Sequence, residues 1–123
     1  MNAEIVENLK RVVAGIPPRY VQMGTWGYEW NCKTFACIGG WLGRDDWFVA
    51  RGLIIDRANY VPTIVDDRDT WAYGALAQIL ELPREDALFL FAPTAYEAIG
   101  AGAGPAAIEE FFRRLAIVEA KHT

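Results

Sequence analysis

The chain has 123 residues, of which 53% are hydrophobic, and 16 acidic against 12 basic side chains leave a net charge of -4. This bounds it to a single globular domain, residues 1-123, large enough to bury a core without disulfide or metal support. The balance excludes the basic stripe that phosphate binding needs, so no direct nucleic-acid binding is expected, and no apolar run approaches the roughly 18 residues of a membrane span.

The start Met1-Asn2-Ala3-Glu4 has neither the basic beginning nor the apolar stretch of a secretory signal, so a cytoplasmic protein is expected. Residues 3-14 place Ile5, Val6, Leu9, Val12 and Val13 on one stripe and Glu4, Glu7, Lys10 and Arg11 opposite, which predicts an amphipathic helix. Gly15 and Pro17-Pro18 end it. From Arg19 to Trp30 the aromatics Tyr20, Trp26, Tyr28 and Trp30 are interleaved with Gly24 and Gly27, a pattern compatible with either a short β-hairpin or an irregular aromatic loop.

The segment Cys32-Leu42 carries both cysteines, Gly39-Gly40 and Trp41, with no charge between Lys33 and Arg44. All-round apolarity predicts a buried central helix, N-capped by Asn31 and stopped at Gly43. Gly39 and Gly40 would each cost an exposed helix about 1 kcal/mol relative to alanine, so their presence implies the close approach of another backbone. On one helix the two cysteines would stand about 140° and roughly 8.7 Å apart, too far for a disulfide, so reduced thiols are expected.

Asp45-Asp46-Trp47-Phe48-Val49-Ala50 reads as a short helix closed by Gly52. Leu53-Ile54-Ile55 and Tyr60-Val61-Pro62-Thr63-Ile64-Val65 are the β-branched runs, compatible with one small hairpin whose Pro62 strand would lie at an edge. Asp66-Asp67-Arg68-Asp69 precedes 70-81, a predicted helix, where carboxylates suit the cap and first turn. Leu82-Pro83 is a break, and residues 84-91 restart a helix with Glu85 and Asp86 in its first turn. A further turn is expected over 96-99, then a flexible connector Gly100-Ala101-Gly102-Ala103-Gly104. A last helix from Pro105 to about Ala120 carries the stripe Ile108, Phe111, Phe112, Leu115 and Val118. Arg113-Arg114, like Lys10-Arg11, is read as part of a solvated helix face. The fold class expected is mainly α, a compact domain of five or six helices around the buried central helix, with at most a small β-hairpin.

Three pieces together resemble a family of short uncharacterised phage, prophage and bacterial proteins. Its pattern is Met-x-x-Trp, then Cys-Gly-Thr-x-x-Cys-Ile-x-Gly, then a Leu-x-Leu corner before an Ala-x-x-Leu-Phe helix. Here these stand as Met23-Gly24-Thr25-Trp26, Cys32-Lys33-Thr34-Phe35-Ala36-Cys37-Ile38-Gly39, and Leu80-Glu81-Leu82-Pro83 running into Ala87-Leu88-Phe89-Leu90-Phe91. Lys33 stands where the pattern has glycine. The resemblance implies a mobile-element origin and carries over no catalytic residue.

Two chemical readings stand beside the structural ones. Cys32 at a helix N-terminus would suit a papain-like cysteine hydrolase, but the one imidazole is His122, next to the last residue, where helices fray. Asp66, Asp67 and Asp69, together with Asp45 and Asp46, would supply oxygens for a cation site, yet both clusters stand at predicted helix starts, where capping explains them. No catalytic residue, metal or cofactor is therefore assigned. The expected function is non-enzymatic protein binding, in the form of a phage accessory or anti-defence, anti-CRISPR-like protein that occludes a host protein or nucleoprotein, with no membrane partner. Aromatic anchors and acidic steering groups point to Tyr28, Glu29, Trp30, Asp45, Asp46 and Trp47 as its binding residues. Glu81, Glu109 and Glu110 join Glu29, Asp45 and Asp46 as the acids expected to be accessible.

Overall fold

The computed structural model describes residues 1-30 and 33-122. Helix α1 spans Ala3–Gly15, where Asn2 Oδ1 accepts the Ile5 N–H at 2.8 Å and the stripe buries Ile5, Leu9, Val12 and Val13. Capping and amphipathic spacing agree, so this helix forms where the sequence predicts it. A 3-10 turn at Pro18–Tyr20 follows.

The expected central helix over Cys32-Leu42 does not form. Strand β1, Tyr28–Trp30, pairs antiparallel with β2, Lys33–Phe35, and only Ile38–Leu42 is helical, as α2. Aromatic packing accounts for the difference: Tyr28 stacks on Phe35 across the hairpin with ring centroids 5.3 Å apart, and Tyr20 meets Phe35 edge-on at 5.2 Å. Cross-strand aromatic pairs stabilise a ribbon, and Thr34 and Phe35 are poor helix formers. The predicted cap Asn31 and the start at Cys32 lie outside the described residues. Cys37 caps α2 instead, its Sγ accepting the Gly40 N–H at 3.3 Å.

At the centre lies extended chain. Gln22 donates to the Ala36 carbonyl at 3.0 Å and Ala36 to that of Tyr20 at 3.1 Å, while Met23 donates to Gly102 at 2.8 Å and Gly104 to Val21 at 3.0 Å. The stretch read as a flexible connector is thus stitched along Val21–Met23, with Ala101 buried. Small residues there permit close backbone approach rather than freedom of motion. Gly40 shows the same logic: a Cβ on it would run into the Trp26 carbonyl, which confirms the inferred approach of a second backbone.

Helix α3, Asp46–Ala50, leads into a three-stranded antiparallel sheet in the order β3 (Leu53–Ile55), β4 (Pro62–Ile64), β5 (Asp67–Trp71). The chain is mainly α, but this sheet and the hairpin exceed the single small hairpin expected. Two further readings are corrected here. Pro62 sits in the middle strand, tolerated because it opens that strand and needs to supply only its carbonyl, which accepts the Ala72 N–H at 2.8 Å. The Asp66-Asp69 cluster belongs to a turn and β5, not to a helix cap: Asp67 accepts the Asp69 N–H at 3.2 Å and the Thr70 hydroxyl at 2.6 Å, local bonds by which Asp competes with helix formation.

Helix α4, Tyr73–Leu80, therefore starts later than predicted. It ends at Glu81, whose left-handed backbone lets Leu82 N–H reach the Ala77 carbonyl and Glu81 N–H that of Gln78, the Schellman arrangement. Helices α5 (Arg84–Phe91), α6 (Pro93–Ala98) and α7 (Gly104–Lys121) complete the chain. Ile5 and Leu9 of α1, Leu42 of α2, Leu76 of α4, Leu90 of α5 and Phe111 of α7 belong to one continuous buried cluster.

Arg114 and Glu110 are not on a solvated face; both are buried. Arg114 Nε donates to Glu110 at 2.6 Å and its Nη1 to the Phe89 carbonyl at 2.8 Å, with the guanidinium over the Tyr96 ring at 4.3 Å. Tyr96 in turn donates its hydroxyl to the Leu90 carbonyl at 2.6 Å. The pair is buried because its hydrogen bonds are satisfied by the corner between α5 and α6.

Candidate functional site

The predicted binding residues lie on two neighbouring pieces, the β1–β2 hairpin and the α2–α3 corner. Tyr28 is 40% exposed, yet its ring is fixed by the Phe35 stack and its hydroxyl donates to Gln22 Oε1 at 3.2 Å. A rigid aromatic with one polar end is the kind of group that contributes contact area at low entropic cost. Glu29 and Trp30 follow it on β1, opposite Thr34 and Lys33 in the ladder, and their side chains lie outside the described residues.

Arg44 joins the two pieces. It donates to the Gly40 carbonyl at 2.8 Å and the Trp26 carbonyl at 3.3 Å, clamping the approach to the hairpin onto the end of α2. Gly27, at φ +152°, leaves no room for a Cβ beside that guanidinium. A side chain there would have to displace the clamp.

Asp45 is the N-cap of α3, accepting from the Trp47 and Phe48 N–H groups, and its carboxylate is held bidentately by Arg11 at 3.0 and 2.9 Å. Burial alone would raise this carboxyl, but the Arg11 guanidinium and the two N–H groups outweigh it and hold it below the usual carboxylate range. Its charge is thus already engaged. Asp46 is exposed, while Trp47 is half-buried, edge-on to Phe48 at 4.9 Å and covered on one face by Arg51 at 4.5 Å. Between α1 and this corner lies a hollow of about 230 Å³ lined by Arg11, Ile16, Trp41, Arg44 and Asp45. Among the acids expected to be accessible, Glu81 and Glu109 are exposed and Glu110 is not.

The thiol and imidazole do not form a reactive pair among the described residues. Cys37 is a free, buried cysteine whose thiol burial pushes up to about 11, despite the opposing Gly40 N–H. His122 is not frayed: its Nε2 lies 2.7 Å from Asp86 Oδ2, and Lys121 Nζ lies 2.8 Å from the other oxygen, tying the end of α7 to the first turn of α5. The Lys121 hydrogen bond, and then that of His122, outweigh the cost of burial and hold the Asp86 carboxyl low. Cys32 lies outside the described residues. Among the described residues no group of three His, Cys, Asp or Glu side chains is placed to hold a metal ion, and no helix is long and apolar enough to cross a membrane.

Sequence reasoning missed the β3–β5 sheet as a surface. Trp71 is 59% exposed, and Tyr60 and Val65 are exposed with it. The sequence predicts a helix at Trp71 because 70-81 reads as one apolar run; the opposing signal is the turn chemistry of Asp66-Asp67 between β-branched Ile64-Val65 and Thr70. No protein-family model, curated protein or solved structure matches the chain.

Proposed function

We propose that the protein is a non-enzymatic binding module that occludes the surface of a host protein or nucleoprotein, with the β1–β2 hairpin and the exposed start of α3 as its contact face. The observation that carries this reading is Tyr28, exposed yet held by a stacked ring and a hydroxyl hydrogen bond. Such preorganisation reduces the entropy lost on binding. Asp46 adds an exposed negative charge two residues from the Arg44 clamp, and the net charge of -4 favours a basic partner surface. The resemblance to phage and prophage proteins supports the specific form of an accessory or anti-defence, anti-CRISPR-like inhibitor. The engagement of His122 by Asp86 supports binding over the alternative, a papain-like hydrolase using Cys32, because it commits the imidazole at the end of α7 to a carboxylate.

The test is affinity capture from host lysate with the parent and with Tyr28→Ala, followed by mass spectrometry. A partner with a basic surface that is retained by the parent and lost with Tyr28→Ala supports the proposal. A captured partner indifferent to Tyr28 moves the contact face elsewhere, and turnover of a peptide or ester substrate in place of any partner replaces the binding reading with an enzymatic one.

A further inference from the structure

We propose that the hollow walled by the rings of Trp26, Tyr73 and Phe91 binds a quaternary ammonium group, with the Glu97 carboxylate at its rim as counter-charge. The hollow has a volume of about 180 Å³ and is lined also by Met23, Thr25 and Cys37. An apolar cavity of roughly 150 Å³ is enough for one benzene-sized molecule, so this one suits a small head group.

The fold sets the three rings around it. Trp26 and Tyr73 have centroids 5.1 Å apart and planes tilted by 53°, two walls that meet at a corner. Phe91 supplies the third. A Cβ on Gly39 would stand 3.2 Å from Cζ3 of Trp26 and 3.6 Å from Cδ1 of Phe91, so the bare glycine near the start of α2 lets both rings reach the same point. Phe91 is buried while Trp26 and Tyr73 are half-buried, and the exposed Gly24, which also lines the hollow, marks its mouth.

Charge and hydrogen bonding decide the ligand. Among the described residues no lysine or arginine lines the hollow, which removes the counter-charge that an anion needs. Both ionisable groups inside stay neutral at pH 7: burial pushes the Cys37 thiol up to about 11, and burial, followed by the Cys37 thiol, pushes the Tyr73 hydroxyl up as well. The negative charge is at the rim, where Glu97 Oε1 lies 3.3 Å from the place a Cβ on Gly24 would take. Glu97 is exposed and in no ion pair among the described residues. A cation against aromatic faces is attracted by the ring quadrupoles, most strongly by that of tryptophan. The cation is a methylated one because the acceptors around it are engaged. The Thr25 hydroxyl accepts the Gly27 N–H at 3.2 Å, the Thr25 carbonyl accepts the Cys37 N–H at 2.8 Å, and the Trp26 carbonyl accepts from Arg44 at 3.3 Å. A primary ammonium would bring three donors into these walls, whereas a quaternary one brings none.

The experiment is an NMR titration of the full chain with choline and with its uncharged isostere 3,3-dimethylbutan-1-ol, followed at the ring resonances of Trp26 and Tyr73. Choline should bind saturably and the isostere at least about tenfold more weakly, the difference a cation–π contact makes once desolvated. Glu97→Gln, a change at an exposed position, should weaken choline about threefold and leave the isostere unaffected. Tyr73→Phe should retain choline and Tyr73→Leu should lose it. A peptide carrying trimethyllysine, titrated in parallel, identifies the source of the group: tighter binding than choline points to a modified chain and weaker binding to a free small molecule, and either supports the site. The proposal is overturned if choline gives no saturable shift, if the isostere binds as tightly, or if Glu97→Gln leaves the affinity for choline unchanged.

Discussion

At the scale of single residues the backbone sets the terms. Gly40 was legible: two adjacent glycines in an apolar run signal a second backbone, and the Trp26 carbonyl occupies the place a Cβ would take. Because that obstacle is main chain and not a yielding side chain, Gly40→Ala should destabilise the protein by about 3 kcal/mol, near the upper end for overpacking, read as a lower urea midpoint. An unchanged midpoint would show that the two backbones separate freely. Glu81 gives the opposite sign. It holds φ 56° and ψ 48° at the end of α4, a conformation that costs an L-residue roughly 1 kcal/mol and glycine almost nothing. Glu81→Gly should therefore raise stability by up to about 1 kcal/mol, measured by the same urea transition; a loss would mean that the glutamate side chain itself holds the corner. Nothing in the sequence distinguishes Glu81 from an ordinary last-turn residue, because Leu82-Pro83 announces the break without saying which residue adopts the left-handed turn.

Elements formed as predicted where local and long-range signals agreed, as in α1, where cap, stripe and terminating prolines coincide, and in α7, whose stripe contains the buried Phe111, Leu115 and Val118. They failed where a partner far along the chain outweighed local pattern. Lys33–Phe35 became a strand because Tyr28 stacks on Phe35, and Arg114 became buried because its acceptor, the Phe89 carbonyl, lies 25 residues away. A charged doublet cannot reveal in sequence that only its first member faces water. Arg114→Ala should consequently cost about 3-5 kcal/mol, since it leaves both the buried Glu110 and the Phe89 carbonyl short of a partner, whereas Arg113→Ala should cost less, because its exposed guanidinium gives up only the Glu110 bonds. The same cluster fixes an acid response. The Arg113 hydrogen bond, followed after the cost of burial by that of Arg114, holds the Glu110 carboxyl down to about 2 from an ordinary 4.5. A carboxyl lowered on folding contributes stability that is complete above its unfolded value and is lost as pH falls through its folded one. Stability should accordingly decline below about pH 4.5 toward pH 2 in part through this group, and Glu110→Gln should flatten that decline while lowering stability at neutral pH. A variant with the parent's acid profile would assign the decline to other groups, Asp86 among them.

Over the whole molecule, the helical spacing of apolar residues anticipated a mainly α chain, and among the described residues no helix is long and apolar enough to cross a membrane, because both follow from local pattern and not from contacts. The assignment of surface acids did not follow, since whether a carboxylate is spent within the protein depends on the cation folded against it. Asp45 and Asp46 are adjacent and alike in sequence, yet Asp45 caps α3 and holds Arg11 while Asp46 is exposed. Only the second is free to act at a distance, and this separates their mutants. Asp45→Lys should cost about 1-2 kcal/mol through loss of the cap, with Arg11 left facing a like charge. Asp46→Lys should leave stability within about 0.5 kcal/mol, as for most exposed positions, but should slow association with a basic partner and flatten its dependence on salt, because steering acts on encounter and is screened over about 10 Å at 0.1 M. Tyr28→Ala should instead act mainly on dissociation, the step that an anchor in the contact face controls. Urea unfolding measures the stability changes, and stopped-flow or surface-bound kinetics against ionic strength, on the partner captured from lysate, measures the effects of Asp46→Lys and Tyr28→Ala on binding. An association rate indifferent to salt in the parent would remove electrostatic steering and with it the reason for expecting a basic partner, while a parent-like dissociation rate in Tyr28→Ala would remove the hairpin from the contact face.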